Sequence, residues 1–297
     1  MDIGRPTVAG AGRQRRLAEL FGGSADAALE LIPHLPQALP EDWQAVAAQL
    51  AVALPGHFSA PAIIGICGGQ GAGKSTLARA LVTAFGLVGV RAATVSLDDF
   101  YHTRATRSGL AQNVHPLLAT RGVPGTHDLA LLRHTFEQLA QPKVPLPRFD
   151  KATDDRAPMA QWPVVAGPLD LLIFEGWCIG ARPQPETALR SPVNDFESRE
   201  DPLGDYRKYV NQSLARDYAP LWKMLHRWLY LAVPDMAAVA RWRGEQEQQL
   251  APAVRMSGVQ LDRFIAHYQR LTQWQAESAP ELADWCLTLG PDHRLVL

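Results

Sequence analysis

A chain of 297 residues is long enough for two domains, or for one large domain with an appendage, and it can bury a sizeable core. Hydrophobic residues make up 47% of the sequence and charged residues 20%, which excludes wholesale disorder. The 29 basic and 30 acidic side chains leave a formal net charge of -1. Such a balance argues against a protein that wraps nucleic acid.

The cysteines and the apolar segments indicate the compartment. Cys67, Cys178 and Cys286 show no CxxC or Cys/His ligand spacing, so we expect free thiols in a reducing environment. The N-terminal residues lack the apolar segment of a signal peptide, and no run of eighteen apolar residues is free of charge. We therefore expect a cytoplasmic protein with no membrane or nucleic-acid partner.

The first part of the chain has a helical pattern up to about Gly56. Apolar residues recur on one stripe at Trp43, Val46, Leu50 and Leu54, and prolines separate the helical pieces. We expect a helical N-terminal extension over residues 1–58 and a second domain over residues 59–297.

The remaining sequence alternates short apolar runs with helical segments, which is typical of an α/β fold with a largely parallel sheet. We predict about five strands, flanked by helices, at 62–67, 91–97, 169–174, 227–233 and 285–289. The predicted helices are 75–85, 128–139, 205–225, 236–247 and 261–275. Residues 102–127 and 144–167 lack periodicity, and we expect them to form long functional loops.

A phosphate-binding loop follows the first predicted strand. Residues 68–75, GGQGAGKS, match GxxxxGK[ST] between a buried strand and a helix, the context that this motif requires. Its backbone N–H groups and the helix N-terminus would surround phosphate oxygens, while Lys74 neutralises them and Ser75, or alternatively Thr76, contacts Mg²⁺. The predicted nucleotide-binding residues are Gly68, Gly69, Gln70, Gly71, Ala72, Gly73, Lys74, Ser75 and Thr76.

A pair of carboxylates follows the second predicted strand, in SLDDFY. We expect this strand to lie next to the phosphate-loop strand, with Asp98 at the carboxyl edge where ligands bind. Asp98 would orient an acceptor hydroxyl and take its proton, and the absence of the guanine-reading NKxD motif favours ATP as the donor. An alternative is that the pair caps a helix, more so for Asp99 than for Asp98.

Two further segments supply charged candidates. Glu175 ends the third predicted strand and would hold Mg²⁺ through a water, although a purely structural glutamate is the alternative. Arg241 and Arg243 begin a basic helix suited to cover the γ-phosphate. They also form i,i+4 pairs with Glu245 and Glu247, as on an ordinary solvated helix.

Together, GGQGAGKST, SLDDFY, RGVPGTHD, VPLPRFDKATDDR, LLIFEGW and the RWR segment resemble the D-glycerate 3-kinase family of P-loop kinases. More distantly, they are similar to uridine, pantothenate and phosphoribulose kinases. The resemblance covers the chain from about residue 62 to the C-terminus. It implies Mg²⁺-dependent transfer of phosphate from ATP to D-glycerate, a five-stranded parallel core and a mobile lid, here about residues 236–260.

The resemblance also implies roles for particular residues. Asp98 matches the catalytic aspartate of these kinases. Positions near the acceptor are taken by Tyr101, Asp128, Arg148 and Asp150. Because glycerate is a carboxylate, a basic side chain must pair with it. The candidates are Arg148, Lys151 and Arg156, each of which has an ordinary surface charge as the alternative.

The chain departs from the family pattern at residues 252–257, where Arg255 stands at a position at which relatives tend to carry glycine. This difference affects the predicted lid. Two alternatives to glycerate phosphorylation stay open: a kinase for another small acceptor such as a nucleoside, pantothenate or a sugar phosphate, and a nucleotide-binding regulatory protein.

Overall fold

The computed structural model describes residues 8–249 and 255–297. Its helices are α1 (Val8–Phe21), α2 (Ala25–Leu31), α3 (Glu41–Ala53), α4 (Lys74–Leu87), α5 (Arg104–Asn113), α6 (Leu129–Glu137), α7 (Asp195–Glu200), α8 (Asp205–Ser213), α9 (Ala219–Trp222), α10 (Met236–Gln248) and α11 (Gly258–Leu282). Its strands are β1 (Ala62–Gly68), β2 (Ala92–Ser96), β3 (Lys143–Pro145), β4 (Phe149–Asp150), β5 (Asp155–Arg156), β6 (Val164–Ala166), β7 (Leu171–Gly176), β8 (Arg227–Ala232), β9 (Trp285–Leu289) and β10 (Leu295–Val296).

A six-stranded sheet in the described part of the chain has the order β10-β9-β8-β1-β7-β2. The five strands from β9 to β2 are parallel, and only the short edge strand β10 runs antiparallel to its neighbour. Every residue of β1 and β7 is buried, as expected for central strands covered by helices on both faces. The predicted α/β fold with five parallel strands is confirmed.

The strand order differs from the prediction at one point. We expected β2 beside β1, but β7 pairs with both and lies between them. The connection through α4 therefore passes over one strand position. Asp98 and Lys74 still follow strands that end at the same edge, with Glu175 at the end of the intervening strand.

Several predicted boundaries were also wrong. The first long aperiodic segment contains the ten-residue helix α5, and the second contains two small antiparallel pairs, β3 with β6 and β4 with β5. A π-helical turn at Leu214–Tyr218 interrupts the helix predicted for 205–225. Helix α11 begins earlier and ends later than predicted. Residues 252–254 of the segment that departs from the family pattern lie outside the described residues.

The described part of the N-terminal extension shares a hydrophobic core with the sheet. Trp43 and Leu50 of α3 belong to the same buried cluster as Leu77 of α4 and Ile66 of β1. Helix α3 also meets the C-terminal strand, since the Asp42 carboxylate accepts a 3.0 Å hydrogen bond from the backbone of Leu295. The boundary near residue 58 stays a prediction.

Cys67, Cys178 and Cys286 are free thiols, as expected, and the first two are buried. Among the helices described, none combines the length and the apolar character that crossing a bilayer requires.

Candidate active site

The phosphate-binding loop joins β1 to α4 as the motif predicts. Gly71 and Gly73 have φ values of +83° and +86°, which favour glycine because a Cβ is strained there. A Cβ on Gly71 would also come within 2.6 Å of the Trp242 Cβ, so α10 lies directly against the loop. The first N–H groups of α4 have no partners within the helix, and together with the helix dipole they form an anion site.

The side chains that follow the loop are arranged for a phosphate and its metal ion. The Lys74 Nζ donates to the carbonyl of Gly69 at 2.9 Å, and the Ser75 hydroxyl donates to Glu175 Oε1 at 2.7 Å. Glu175 is 6% exposed, and its burial raises the pKa of the carboxyl, an effect that the Lys74 charge and the Ser75 hydrogen bond partly offset. A hydroxyl and a carboxylate beside a phosphate site suit Mg²⁺, which prefers oxygen ligands.

The two carboxylates after β2 have different functions in the local structure. A 3₁₀ turn at Leu97–Phe100 begins with a capping box in which the Asp99 carboxylate accepts the N–H of Ser96. The helix-cap alternative is therefore correct for Asp99. The Asp98 carboxylate does not cap the turn. It accepts hydrogen bonds from the Tyr101 hydroxyl at 2.8 Å and from Lys151 Nζ at 2.7 Å.

These partners set the charge on Asp98. Burial alone would raise its pKa, but the Lys151 charge and the hydrogen bonds from Lys151 and Tyr101 outweigh burial and lower the pKa below its usual value. Burial, reinforced by the negative charge of Asp98, raises the pKa of Tyr101 well above its ordinary value. At neutral pH Asp98 is therefore a carboxylate that accepts a hydrogen bond from a protonated phenol.

One cavity of about 400 Å³ brings most of these groups together. The sequence-predicted residues on its wall are Gln70, Gly71, Gly73, Lys74, Ser75, Thr76, Asp98, Tyr101, Lys151, Glu175 and Arg243. The phosphate-binding loop forms one part of the cavity wall. Asp98, with its partners Tyr101 and Lys151, forms another part. The arrangement can hold a nucleotide phosphate beside a carboxylate that orients a second molecule.

The two arginines of α10 separate in the structure. Arg243 lines the cavity, where it pairs with Glu247 and its guanidinium lies 4.9 Å from the centre of the Phe264 ring. Arg241 instead donates to the carbonyl of Pro291 at 2.7 Å, outside the cavity. Residues two positions apart on a helix differ by about 200° in direction, which accounts for the difference. This placement does not support a phosphate contact for Arg241.

Four residues predicted near the acceptor lie outside the cavity wall. Arg148 pairs with Asp99 at 3.1 Å, and Arg156 pairs with Asp128 at 2.9 Å. The Asp128 side chain also caps α6 by accepting the N–H of Leu131. Asp150 accepts hydrogen bonds from its own turn, at Ala152 and Thr153. Each of these groups is paired with a neighbouring part of the protein, and their acceptor roles stay predictions.

The cavity also contains residues that the sequence reasoning did not select. These are Ser96, Asp99, Arg121, Gly176, Trp177, Gln246, Phe264 and Tyr268. The Tyr268 hydroxyl donates to the backbone carbonyl of Arg121 at 3.2 Å, which connects α11 to the segment after α5. Arg121 is the first residue of the RGVPGTHD motif, so the sequence contained a pattern from which it could have been selected. Tyr268 and Phe264 lie within an ordinary amphipathic helix, where nothing local distinguishes them.

Comparisons with known proteins identify similar sequences and a similar fold. Residues 63–180 match the model of the Phosphoribulokinase / Uridine kinase family. Over 221 residues, or 70% of the chain, the sequence is 32% identical to the chloroplastic D-glycerate 3-kinase of Arabidopsis thaliana, and this match spans 46% of the plant protein. It is 35% identical over 221 residues to the uncharacterized kinase mug58 of Schizosaccharomyces pombe, whose length is 78% covered.

A solved structure is also similar. The D-glycerate 3-kinase of Cryptococcus neoformans var. grubii superposes with a TM-score of 0.65 at 28% sequence identity, covering 80% of this chain and 88% of that one. The chain therefore spans most of one solved relative and about half the length of the plant relative that it matches.

Proposed function

Because the chain belongs to the phosphoribulokinase/uridine kinase family of P-loop kinases, we propose that it transfers the γ-phosphoryl group of ATP to a hydroxyl of D-glycerate. The observation that carries this proposal is the position of Asp98 in one cavity with the phosphate-binding loop. Two relatives named as D-glycerate 3-kinases support the choice of acceptor. We assign the activity to residues 59–297. The predicted lid, at about 236–260, includes residues 250–254, which lie outside the described residues.

The nucleotide half of the cavity would bind ATP and Mg²⁺. Backbone N–H groups at the start of α4 bind the phosphate oxygens, and Lys74 turns from the Gly69 carbonyl toward them. Ser75 and Glu175 would hold Mg²⁺, which neutralises the charge on the β- and γ-phosphates when bound. Arg243 would contact the γ-phosphate from α10.

Asp98 would act on the acceptor. The acceptor oxygen attacks the γ-phosphorus, the bond from this phosphorus to the bridging oxygen of ADP breaks, and the acceptor proton passes to the Asp98 carboxylate late in the step. A carboxylate with a lowered pKa is a weak base, so its main contribution is to orient the hydroxyl. The Tyr101 hydroxyl holds one carboxylate oxygen in place.

The cavity suits an anion, because the four cationic side chains on its wall outnumber the three carboxylates there. A cytoplasmic location and the absence of nucleic-acid and membrane partners stay predictions of the sequence.

The test is ADP release by the purified protein with Mg-ATP, comparing no acceptor with D-glycerate, L-glycerate, pantothenate, uridine and ribulose 5-phosphate. We expect strong stimulation by D-glycerate alone. Stimulation by another acceptor would replace glycerate but keep the chemistry. If ATP binds and no compound stimulates its cleavage, the proposed reaction is wrong and the regulatory alternative gains support.

A further inference from the structure

The wall of the cavity carries four cationic side chains: Lys74, Arg121, Lys151 and Arg243. Lys74 belongs to the phosphate-binding loop, and Arg243 lies on α10, which packs on that loop. Lys151 is matched by the Asp98 carboxylate at 2.7 Å. Arg121 is therefore the cation in the cavity whose function the transfer reaction has not yet explained.

Arg121 belongs to a cluster with an excess of positive charge. Its guanidinium pairs with Asp154, and the same carboxylate forms an ion pair with Arg107, whose Nη2 lies 2.9 Å from it. Among the described residues, neither arginine has an ion pair with a second carboxylate. The single negative charge of Asp154 is thus shared by two guanidinium groups. The cluster of Arg107, Arg121 and Asp154 therefore has a net charge of about +1 beside the cavity.

The two arginines of this cluster differ in what they face. Arg107 is 1% exposed, and the carbonyls of His102, Ala119 and Asp154 accept its hydrogen bonds. The side chain of Arg121 is 29% exposed and lines the cavity. The excess charge of the cluster is therefore accessible to a ligand only through Arg121.

Other contacts hold Arg121 in position. Its guanidinium lies 5.4 Å from the centre of the Phe149 ring, and its backbone carbonyl accepts the Tyr268 hydroxyl. The next backbone N–H, that of Gly122, donates to Thr126 Oγ1 at 3.1 Å. A guanidinium fixed in this way can meet a carboxylate with two parallel hydrogen bonds at small entropic cost.

We propose that Arg121 binds the carboxylate of the acceptor and makes the enzyme select a hydroxy acid over a neutral polyol. This inference rests on the proposed function and assigns its specificity to one residue. The sequence pointed instead to Arg148, Lys151 and Arg156. Lys151 lines the cavity but is paired with Asp98. Arg148 and Arg156 are compensated by their own acids, Asp99 and Asp128, and neither lines the cavity.

The experiment compares D-glycerate with glycerol, in which a neutral CH₂OH group replaces the carboxylate. For Arg121→Met we expect kcat/KM for D-glycerate to fall about ten- to hundredfold, mainly through KM. The value for glycerol and the KM for ATP should stay within about twofold of the wild type. Arg121→Lys should recover part of the preference, since it keeps the charge but loses the planar fork.

Two matched arginine substitutions serve as controls. Arg133→Met removes an exposed charge on α6, outside the cavity, and should leave all constants unchanged. Arg148→Met tests the competing candidate and should keep the ratio of glycerate to glycerol turnover. Arg121→Met should fold, because Asp154 keeps Arg107 as its partner. Thermal unfolding shows whether Arg121→Met is folded. If it is not, the kinetics of Arg121→Lys test the assignment of Arg121 to the acceptor carboxylate.

The outcomes separate this inference from the proposed function. Three results would overturn the assignment. The first is an unchanged ratio of kcat/KM for glycerate to that for glycerol in folded Arg121 variants, and the second is a rise in the KM for ATP equal to that for glycerate. The third is that Arg148→Met, rather than the Arg121 variants, loses the preference for glycerate. If the wild type does not phosphorylate D-glycerate at all, the proposed function fails, and the role of Arg121 falls with it.

Discussion

The indole ring of Trp43 lies against Gly73 in the phosphate-binding loop. A Cβ at Gly73 would come within 3.1 Å of both Cζ2 and Nε1 of Trp43, which is 5% exposed. A residue of the N-terminal extension thus forms part of the support beneath the nucleotide site. Trp242 contacts the loop from α10 at Gly71, so two tryptophans from distant parts of the chain hold it.

The first prediction concerns this support. Trp43→Ala should lower the free energy of unfolding by about 3–5 kcal/mol and raise the KM for ATP, because the loop loses a rigid neighbour. Trp43→Phe should have smaller effects on both. Leu50→Ala, a buried residue farther along α3, should lower stability by about 2–5 kcal/mol without raising the KM for ATP. Equal changes in KM for Trp43→Ala and Leu50→Ala would show that general destabilisation explains the effect.

The second prediction concerns the metal site. Glu175→Gln keeps an oxygen to accept the Ser75 hydroxyl but removes the charge, so the concentration of Mg²⁺ needed for half-maximal rate should rise about tenfold or more, with a lower kcat. The measurement is a Mg²⁺ titration at saturating ATP. Asp170→Asn, which removes an acid paired with Arg91 before the same strand, is the control. A normal Mg²⁺ dependence in Glu175→Gln would assign Glu175 a structural role.

The third prediction separates the two neighbouring aspartates. Asp98→Asn should lower kcat by about 10²- to 10⁴-fold with little change in the KM for ATP, because the neutral amide orients the acceptor hydroxyl less well and cannot take its proton late in the step. Asp99→Asn should mainly lower stability, by about 1 kcal/mol, because it weakens the capping box. Steady-state kinetics and urea unfolding of both variants test this. A normal kcat in folded Asp98→Asn would contradict the role of Asp98.

The fourth prediction uses the two arginines of α10 as a matched pair. Arg243→Met should lower kcat by about tenfold or more, since it removes a charge from the cavity. Arg241→Met should lose a hydrogen bond to Pro291 and change kcat less than about twofold. Single-turnover rates at saturating ATP distinguish the two. The reverse order of effects would contradict the assignment of Arg243 to the γ-phosphate.

The fifth prediction concerns pH and stability. Burial lowers the pKa of His127 to about 3, and burial with the Arg263 charge lowers that of His267 to about 4. Both histidines are neutral in the folded protein but bind protons in the unfolded chain below its ordinary pKa of about 6.5. They therefore make the folded state less stable as the pH falls from about 6.5 toward 4.

The histidine effect can be measured on a single variant. His267→Gln keeps a side chain able to hydrogen bond with the Tyr206 hydroxyl, the partner of His267 at 3.0 Å. Urea unfolding between pH 7 and 5 should show a pH slope smaller by up to about 1.4 kcal/mol per pH unit than in the wild type. Identical slopes would mean that His267 binds its proton equally well in the folded protein.

The local motifs predicted much of the site. The glycines, Lys74 and Ser75 could be identified because a phosphate-binding loop consists of consecutive residues between one strand and one helix. Asp98 and Glu175 could be identified because each lies at the carboxyl end of a predicted strand. These predictions depend only on neighbours in the chain.

The pairing of charges could not be predicted in this way. Arg148, Arg156 and Arg121 all lie in polar segments rich in proline and glycine, and the sequence does not show which of them meets an acid. Asp99 lies 49 residues before Arg148, and Asp154 lies 33 residues after Arg121. Such contacts form only when the loops fold over the sheet.

The sequence by itself determined the α/β class, the phosphate-binding loop and the residue types at the ends of the strands, because periodicity and motif spacing are local properties. Only the tertiary structure decided that β7 separates β1 from β2 and that Trp43 supports Gly73. It also decided that Arg121 and Arg243 line the cavity while Arg148 and Arg241 do not. These features arise from packing and pairing between distant segments, whose free energies depend on the whole fold.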